Sequence, residues 1–397
     1  MNSNKIKIIR ITTISATMNV ILKGQLEYLN QYYKVIGITA KYLNYFEEII
    51  IREGIKLYDV EMTRKITPVK DLLAVMKLVS IIMREKPLLI HTQTPKANLL
   101  AMLAAFICRT PIRILSIVGM PAYKDYGIRG WFLRNLDLLS YSLATNVYPN
   151  SWGLYHYYSK WKVLSKKIGM IGNGSSNGID LNYYNPSRVS IEKLEKIRRN
   201  TRLTKMDFVF SFMGRVVNDK GVKELLEAFL SFCEDQKYLN CKLLIIGPLR
   251  ETDDPIPKYY QDILINHPKI RFVGLQRDVR PFLLLSNTFV FPSHREGLPG
   301  SLIQAAAMGL PLIATRILGN EEIIESVGGF LVPVNDRFSL AEAMKKTYEK
   351  YSCQKELENK SREKIAQLYD QKKYWEYLKN EYEKVIRDKN NVQGKHS

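Results

Sequence analysis

The sequence predicts an α/β protein with two doubly wound, parallel-sheet domains in tandem and a ligand cleft between them. Three observations carry this expectation. Short β-branched runs alternate with amphipathic stretches along the chain, which is the pattern of βαβ units. The alternation fades once, in the Gly/Ser/Asn-rich stretch Gly172–Gly178 and the charged segment after it, and then starts again. At 397 residues, with 46% hydrophobic and 25% charged side chains, the chain has room for two domains and an ordinary core that needs no disulfide or structural metal.

The elements follow in chain order. Ile6–Thr13, Lys34–Thr39, Leu57–Val60, Leu88–Thr92, Arg113–Val118 and Asn146–Tyr148 read as strands. Between them Leu72, Met76, Val79 and Met83 recur at helical spacing, as do Leu99, Met102 and Phe106. Residues 1–180 are therefore expected to form the first domain. Asn185-Pro186 and the charged residues up to Lys205 read as a linker, 181–205. A second domain, 206–370, has expected strands at Phe208–Met213, Lys242–Ile246, Ile270–Val273, Thr288–Phe291, Leu312–Ala314 and Phe330–Val332. Helices should fill Val222–Glu234, Lys258–Asn266, Leu302–Met308, Glu321–Glu325 and Ser339–Tyr351. The tail from Gln354 reads as helical. Trp375, Leu378, Tyr382 and Val385 make one apolar stripe, so 371–397 should pack back on the first domain.

Composition excludes several classes. Cys108, Cys233, Cys241 and Cys353 are scattered, without C-x-x-C pairs or His at zinc spacing, which argues against a zinc site or a secreted disulfide scaffold. The N-terminus shows no signal peptide, and the longest uncharged apolar run, Ala97–Cys108, falls short of the roughly 20 residues a spanning helix needs. A cytoplasmic location is expected. Net charge is +20, with 24 Lys and Arg against 11 Asp and Glu in residues 1–180, and 35 against 28 in the remainder. This basic first half suits an anionic partner, although a Lys-rich composition habit would look the same. No long Lys/Arg block resembles a nucleic-acid tail, so no nucleic-acid partner is expected.

The most specific string is Pro292–Thr315, PSHREGLPGSLIQAAAMGLPLIAT. It follows a strand and opens a helix through Gly297, Pro299 and Gly300. Glycines allow close backbone approach, and a helix N-terminus carries about half a positive charge, which favours a phosphate near Leu298–Ser301. Glu296 stands just before the turn, where its carboxylate can accept from sugar hydroxyls. Gln304 lies eight positions on, about two turns down the same face if the helix starts promptly. Gly214-Arg215 and Lys220-Gly221 follow the first strand of the second domain. Arg215 suits bidentate phosphate contact and Lys220 adds a point charge, so together they can neutralise a departing diphosphate.

At these residues the chain resembles the retaining glycosyltransferases of family 4. Their hallmark is a Glu, seven residues and a second Glu in a P-S-x-x-E-G context, here Glu296 with Gln304 replacing the second Glu. Gly214 to Gly221 resembles the family's G-R-x(4)-K-G motif. The resemblance implies that Glu296 contacts the transferred sugar and that Gln304 holds the nucleotide ribose without charge assistance. Gly274–Val279, with Arg277 and Asp278, resembles the loop that cradles the base, or is a turn capped by Asp278. Gly319-Asn320-Glu321-Glu322 resembles the G-x-x-E segment near the donor, with Glu322 matching best; the other reading is two first-turn acids facing a helix dipole.

In the first half, His91–Ala105, Met62–Asp71 and Asn173–Asp180 resemble the branch that assembles capsules, O-antigens and lipid-linked oligosaccharides. His91, at a strand end, is expected to face the cleft as a catalytic residue, or else to be a packed residue. Lys23 and Gly24 are expected on the acceptor side. Around Tyr155–Lys167 aromatic residues and lysines interleave, as at a membrane interface or on a packing helix.

The resemblance implies a GT-B fold of two Rossmann-like domains facing a central cleft, and a metal-independent transferase. Its reaction would carry a hexose or N-acetylhexosamine from a UDP-sugar to a polyprenyl-diphosphate-linked glycan in bacterial surface polysaccharide synthesis. It would work as a peripheral protein on the inner face of the cytoplasmic membrane, with no cofactor beyond the nucleotide sugar. No D-x-D metal motif is present. The alternatives are a UDP-sugar 2-epimerase of the same architecture and a non-catalytic nucleotide-binding protein. An epimerase would turn over without acceptor.

Overall fold

The computed structural model describes residues 5–63, 66–119, 127–249, 254–352 and 359–393. Arg64 and Lys65 of the Met62–Asp71 segment, Cys353 and the start of the expected tail helix lie outside the described residues. The chain divides into two units, Met1–Gly178 with Gln371–Ser397, and Ile179–Asp370.

In the first unit the strands are β1 (Lys7–Ile14), β2 (Lys34–Ala40), β3 (Lys56–Asp59), β4 (Leu89–Thr92), β5 (Ile112–Ile117) and β6 (Asn146–Pro149). They form one parallel sheet in the order β3-β2-β1-β4-β5-β6. Strands β1, β4 and β5 are almost wholly buried, as expected where helices cover both faces of a parallel sheet. The second unit holds β7 (Phe208–Met213), β8 (Cys241–Ile246), β9 (Ile270–Phe272), β10 (Thr288–Phe291), β11 (Leu312–Thr315) and β12 (Phe330–Val332). Its order is β12-β11-β10-β7-β8-β9, again all parallel. Counted from each unit's first strand, both sheets run 3-2-1-4-5-6. Strand order reverses between β1 and β4, and between β7 and β10, which is where doubly wound sheets open a crevice for ligands at the strands' carboxyl ends.

Each unit has its own core. In the second, Phe210, Phe212, Phe229, Phe232 and Phe289 are buried between sheet and helices. In the first, Leu378, Tyr382, Val385 and Ile386 of the helix Gln371–Gln393 join Ile8, Leu89, Ile112 and Ile114. The apolar stripe at the end of the chain thus covers the first sheet. Trp375, at its start, is partly buried against the same cluster.

The stretch expected to be a linker is instead partly helical. Ile191–Asn200 is a helix whose N-cap, Ser190, accepts from the Lys193 amide at 3.3 Å. Glu192 in its first turn and Arg198 and Arg199 in its last complement the helix dipole. Leu194 and Ile197 pack against the core of the second unit. High charge made this segment read as loop, but two apolar residues three apart and a good cap are enough when a core is at hand. Among the described residues, no helix is long and apolar enough to cross a membrane.

Candidate active site

The carboxyl ends of β7 and β10, neighbours at the strand-order reversal, carry the residues that the sequence singles out. From β7 the chain runs through Gly214 and Arg215 into a turn ending at Lys220 and Gly221. Gly221 has φ +67°, and a Cβ there would lie 2.0 Å from the Pro292 carbonyl oxygen, so this turn presses directly on the end of β10. Lys220 thereby meets Glu296: its ammonium pairs with Oε1 of that carboxylate, and the Ser293 hydroxyl donates to the same oxygen at 2.9 Å. Arg215 is exposed beside the same strand end.

Asp219 locks the two loops together, a role that sequence reasoning did not assign. Its backbone carbonyl accepts from the His294 amide at 2.9 Å and from the Ser293 hydroxyl at 3.3 Å, while its carboxylate pairs with Arg295 Nε at 2.5 Å. The turn is tied down from its other side by Asp254, which accepts from the Asp219 amide at 2.7 Å and from Asn218 at 3.2 Å. Thr315, at the end of β11, donates to the Ser293 carbonyl and is held by the buried Asn320 side chain at 3.1 Å. Gly319 completes the support, since a Cβ on it would stand 2.0 Å from the Gly297 oxygen. The only sequence signal for Asp219 is its place directly before Lys220.

Beyond Glu296 the chain passes Gly297, Leu298 and Pro299 and enters the helix Gly300–Ala307. Pro299, as N-cap, has no side chain able to accept from the first-turn amides, and Gly300 is exposed with open space beside its Cα. The amides of Gly300, Ser301 and Leu302 therefore have no side-chain cap, an arrangement that an anion can complete. The helix starts at Gly300, so Gln304 sits in its second turn, half-buried, and is not two turns along a helix from Glu296. An exposed guanidinium, an ammonium shared with a carboxylate and a helix N-terminus together can bind a diphosphate and place a carboxylate beside what it carries.

The other donor-side candidates stand elsewhere in this unit. Arg277 and Asp278 follow β9, the edge strand. Asp278 accepts from Arg280 Nε and Nη2, both at 2.8 Å, and from Lys193 at 2.6 Å. Burial pushes its carboxyl up, yet the hydrogen bonds from Arg280 and Lys193 outweigh this and hold it far below the usual range. It clamps the helix Ile191–Asn200 through Lys193 and accepts from the Arg280 amide at 3.2 Å, just ahead of the helix Arg280–Leu285, whose N-cap is Val279. Glu322 accepts from the buried Tyr369 hydroxyl at 3.3 Å, while Glu321 pairs with Arg316 at 3.6 Å.

In the first unit the structure bears on three expectations. His91 does not face an opening. It is 1% exposed, with Nδ1 2.6 Å from the Tyr382 hydroxyl and Nε2 2.7 Å from the Ser116 hydroxyl. Burial first, and the charge of Arg10 second, hold its imidazole well below the usual range. Both ring nitrogens are spoken for, which leaves no proton site for a substrate. Arg10 is equally buried and donates to Gln25 at 2.6 Å, Gln93 at 3.0 Å and Tyr382 at 3.2 Å. Lys23 and Gly24 join two short helices, Ser15–Ile21 and Gln25–Asn30. The Gly24 amide is taken by Glu53 at 2.8 Å, and the Trp375 ring lies where a Gly24 Cβ would go, at 2.8 Å. The Asn173–Asp180 segment serves the same joint, because Asn177 accepts from Trp375 Nε1 at 2.7 Å and donates to the Lys23 carbonyl at 2.9 Å. Around Tyr155–Lys167 the aromatic residues pack on one another. Trp161 meets Tyr141 edge to face and lies tilted against Tyr157 and Tyr158, and Lys167 caps the helix Gly127–Leu143 through the carbonyls of Tyr141, Ser142 and Ala144.

Comparison with known proteins gives the family. Residues 207–350 match the family "Glycosyl transferases group 1", and residues 10–151 match "Glycosyl transferase 4-like". The capsular polysaccharide biosynthesis glycosyltransferase CapM of Staphylococcus aureus is 28% identical over 96% of this chain and 98% of its own. An Escherichia coli UDP-Gal:alpha-D-GlcNAc-diphosphoundecaprenol alpha-1,3-galactosyltransferase is 25% identical over 71% of this chain and 72% of its own. Among solved structures, Anabaena Alr3699/HepE in complex with UDP-glucose superposes with a TM-score of 0.79 at 18% identity, covering 95% of this chain and 99% of that one. With two six-stranded parallel sheets in its two units, the chain belongs to the group 1, family 4-like glycosyltransferases and has their GT-B fold.

Proposed function

We propose that this glycosyltransferase moves a hexose or N-acetylhexosamine from a UDP-sugar to a polyprenyl-diphosphate-linked glycan, with retention at the anomeric carbon, in bacterial surface polysaccharide synthesis. The observation that carries the reading is the Lys220–Glu296 pair at the β7/β10 reversal, beside Arg215 and the Gly300 helix start. As the sugar–phosphate bond breaks, negative charge grows on the diphosphate. Arg215, Lys220 and the first-turn amides would neutralise that charge, the work a divalent cation does in other transferases. Lys220 would then turn from Glu296 toward phosphate, which frees the carboxylate for the hydroxyls of the transferred sugar. Gln304 would hold the ribose as a neutral partner.

The donor and acceptor classes rest on relatives. The E. coli relative is named for UDP-Gal and a diphosphoundecaprenol acceptor, and a Campylobacter jejuni relative for N-acetylgalactosaminyl transfer to a diphospho-undecaprenol glycan. The test is a panel of nucleotide sugars with and without lipid-linked acceptor, in EDTA, following UDP release and the linkage formed. The reading expects acceptor-dependent release and an axial product. Epimerised sugar without acceptor would assign an epimerase, and turnover only with added Mg²⁺ or Mn²⁺ would overturn the metal-independent site.

A further inference from the structure

The helix Pro68–Glu85 has two apolar faces where a surface helix normally has one. Its inner face, including Ala74, Val75, Leu78, Ile81 and Ile82, is buried in the first unit. Opposite them, Val69, Leu72, Leu73, Met76 and Met83 are between 59% and 73% exposed. With 3.6 residues per turn these five fall within an arc of roughly 100° and run about 21 Å along the axis. Single exposed apolar side chains need no explanation, but a continuous stripe of them does. The helix Pro95–Ile107 packs alongside and adds Phe106 and Ile107, 53% and 55% exposed.

The charges bordering this stripe choose its occupant. Every exposed ionisable residue of the helix is basic: Lys70, Lys77 and Arg84. Both of its acids are turned away from the stripe. Asp71 is bound by Lys96, and Glu85 by Tyr58 at 2.5 Å, Lys56 at 2.8 Å and Lys7 at 3.3 Å. Lys70 reaches back to Glu61 at 2.8 Å and Arg84 lies over the Tyr58 ring. An apolar arc with cations along its border and acids withdrawn is complementary to an anionic lipid surface, not to a second copy of this basic chain, which would set like charges together. As a crossover helix, it also begins at the carboxyl edge of the sheet, so Val69, Leu72 and Leu73 lie nearest the edge where ligands bind.

We propose that this face rests on an anionic phospholipid bilayer, with Val69, Leu72, Leu73, Met76 and Met83 at the headgroup–acyl boundary and Lys77 and Arg84 at the level of the phosphates. The inference rests on the reading that the acceptor is lipid-linked, and it names the surface that brings the enzyme to it. The test uses the full chain and vesicles of phosphatidylcholine alone or mixed with phosphatidylglycerol, in a sedimentation assay. Wild type should bind the mixed vesicles. Leu72→Asp with Met76→Asp should lower the partition coefficient about tenfold or more, because two apolar groups are withdrawn from the boundary. Lys77→Glu with Arg84→Glu should weaken binding at low salt and matter little at high salt.

UDP release with detergent-solubilised acceptor should stay unchanged in both double variants. Equal vesicle binding by the Leu72/Met76 variant, or none by wild type, overturns the proposal. So does loss of detergent activity together with binding, because the substitutions would then act through the fold. A wild-type dimer that the same variant dissociates, without vesicle binding, assigns the face to a second copy and also overturns it. Vesicle binding that behaves as expected in a chain inactive on every nucleotide sugar would sink the transferase reading and leave the lipid-binding face standing.

Discussion

Replacing Lys220 by Ala has two consequences of different size. Its side chain and that of Glu296 are 15% and 16% exposed, so the pair is neither dry nor fully solvated. After the substitution the Ser293 hydroxyl still donates to the same carboxylate oxygen at 2.9 Å, and water can enter the space left by the ammonium. Losing one charge-assisted bond in such a setting costs about 1–2 kcal/mol of stability. The catalytic loss should be larger, because one donor aimed at charge that develops only in the transition state is worth about 10²–10³ in kcat, or about 2.7–4 kcal/mol. Lys220→Ala should therefore cut kcat by about 100-fold or more while moving the denaturant midpoint slightly. The assay is steady-state UDP release at saturating donor and acceptor, beside urea unfolding of the same preparation. If the pair acts as one unit, adding Glu296→Gln to Lys220→Ala should cost less than the two single losses combined. A wild-type kcat in Lys220→Ala would refute the leaving-group role. A rate loss matched by an equal loss of folded protein would make Lys220 a scaffold residue.

Three further outcomes follow from the same geometry. Asp219→Ala removes the carboxylate that pairs with Arg295 and loosens the turn that aims Lys220, so kcat should fall about 10-fold or more, within the range that misplacing a positioned group costs; Asp219→Asn should recover part of it, and equal rates in all three proteins would remove Asp219 from the site. Gln304→Glu should lower the donor KM if the side chain faces the ribose, because a charged acceptor strengthens a hydroxyl hydrogen bond; a collapsed kcat at unchanged KM would give it another role. His91 stays neutral in the fold whereas an unfolded histidine titrates near 6.5, so its contribution to stability is present above that pH and lost as the pH falls below it, by up to about 1.4 kcal/mol per unit. His91→Gln should flatten unfolding free energy between pH 7 and 5 relative to wild type, and an unchanged slope there would show that His91 protonates freely in the fold.

The strands were legible because each is a short apolar run whose burial on both faces follows from a parallel sheet, as at Phe208–Met213 and Thr288–Phe291. The second-unit site was legible for a related reason. Glu296, Gly300 and Gln304 belong to one continuous string, and its neighbour Lys220 belongs to a second string opened by the adjacent strand. Asp219 is hidden in the sequence because its part is divided between a carboxylate that pairs with Arg295 and a backbone carbonyl, and a side chain's identity does not announce what its carbonyl will hold. The helix Ile191–Asn200 was missed because charge content was weighed above the Ser190 cap and the Leu194/Ile197 spacing.

His91 and Gly24 are enclosed through a common cause. They sit where a doubly wound sheet offers ligand positions, and as residue types both suit a site. What decides their use comes from the far end of the chain: Tyr382 closes on His91 and Trp375 covers Gly24, both from the helix Gln371–Gln393. The apolar stripe announced that this helix must be covered, and the sheet's order announced where a cover was needed. Neither carried the register that sets a tyrosine hydroxyl 2.6 Å from an imidazole. That register gives the buried Arg10 its neutral partners, Gln25, Gln93 and Tyr382, and a charged His91 beside it would add an unpaired cation. The network therefore works only with a neutral histidine. A residue required to stay neutral and enclosed is suited to fastening the terminal helix, and poorly suited to exchanging protons with a substrate.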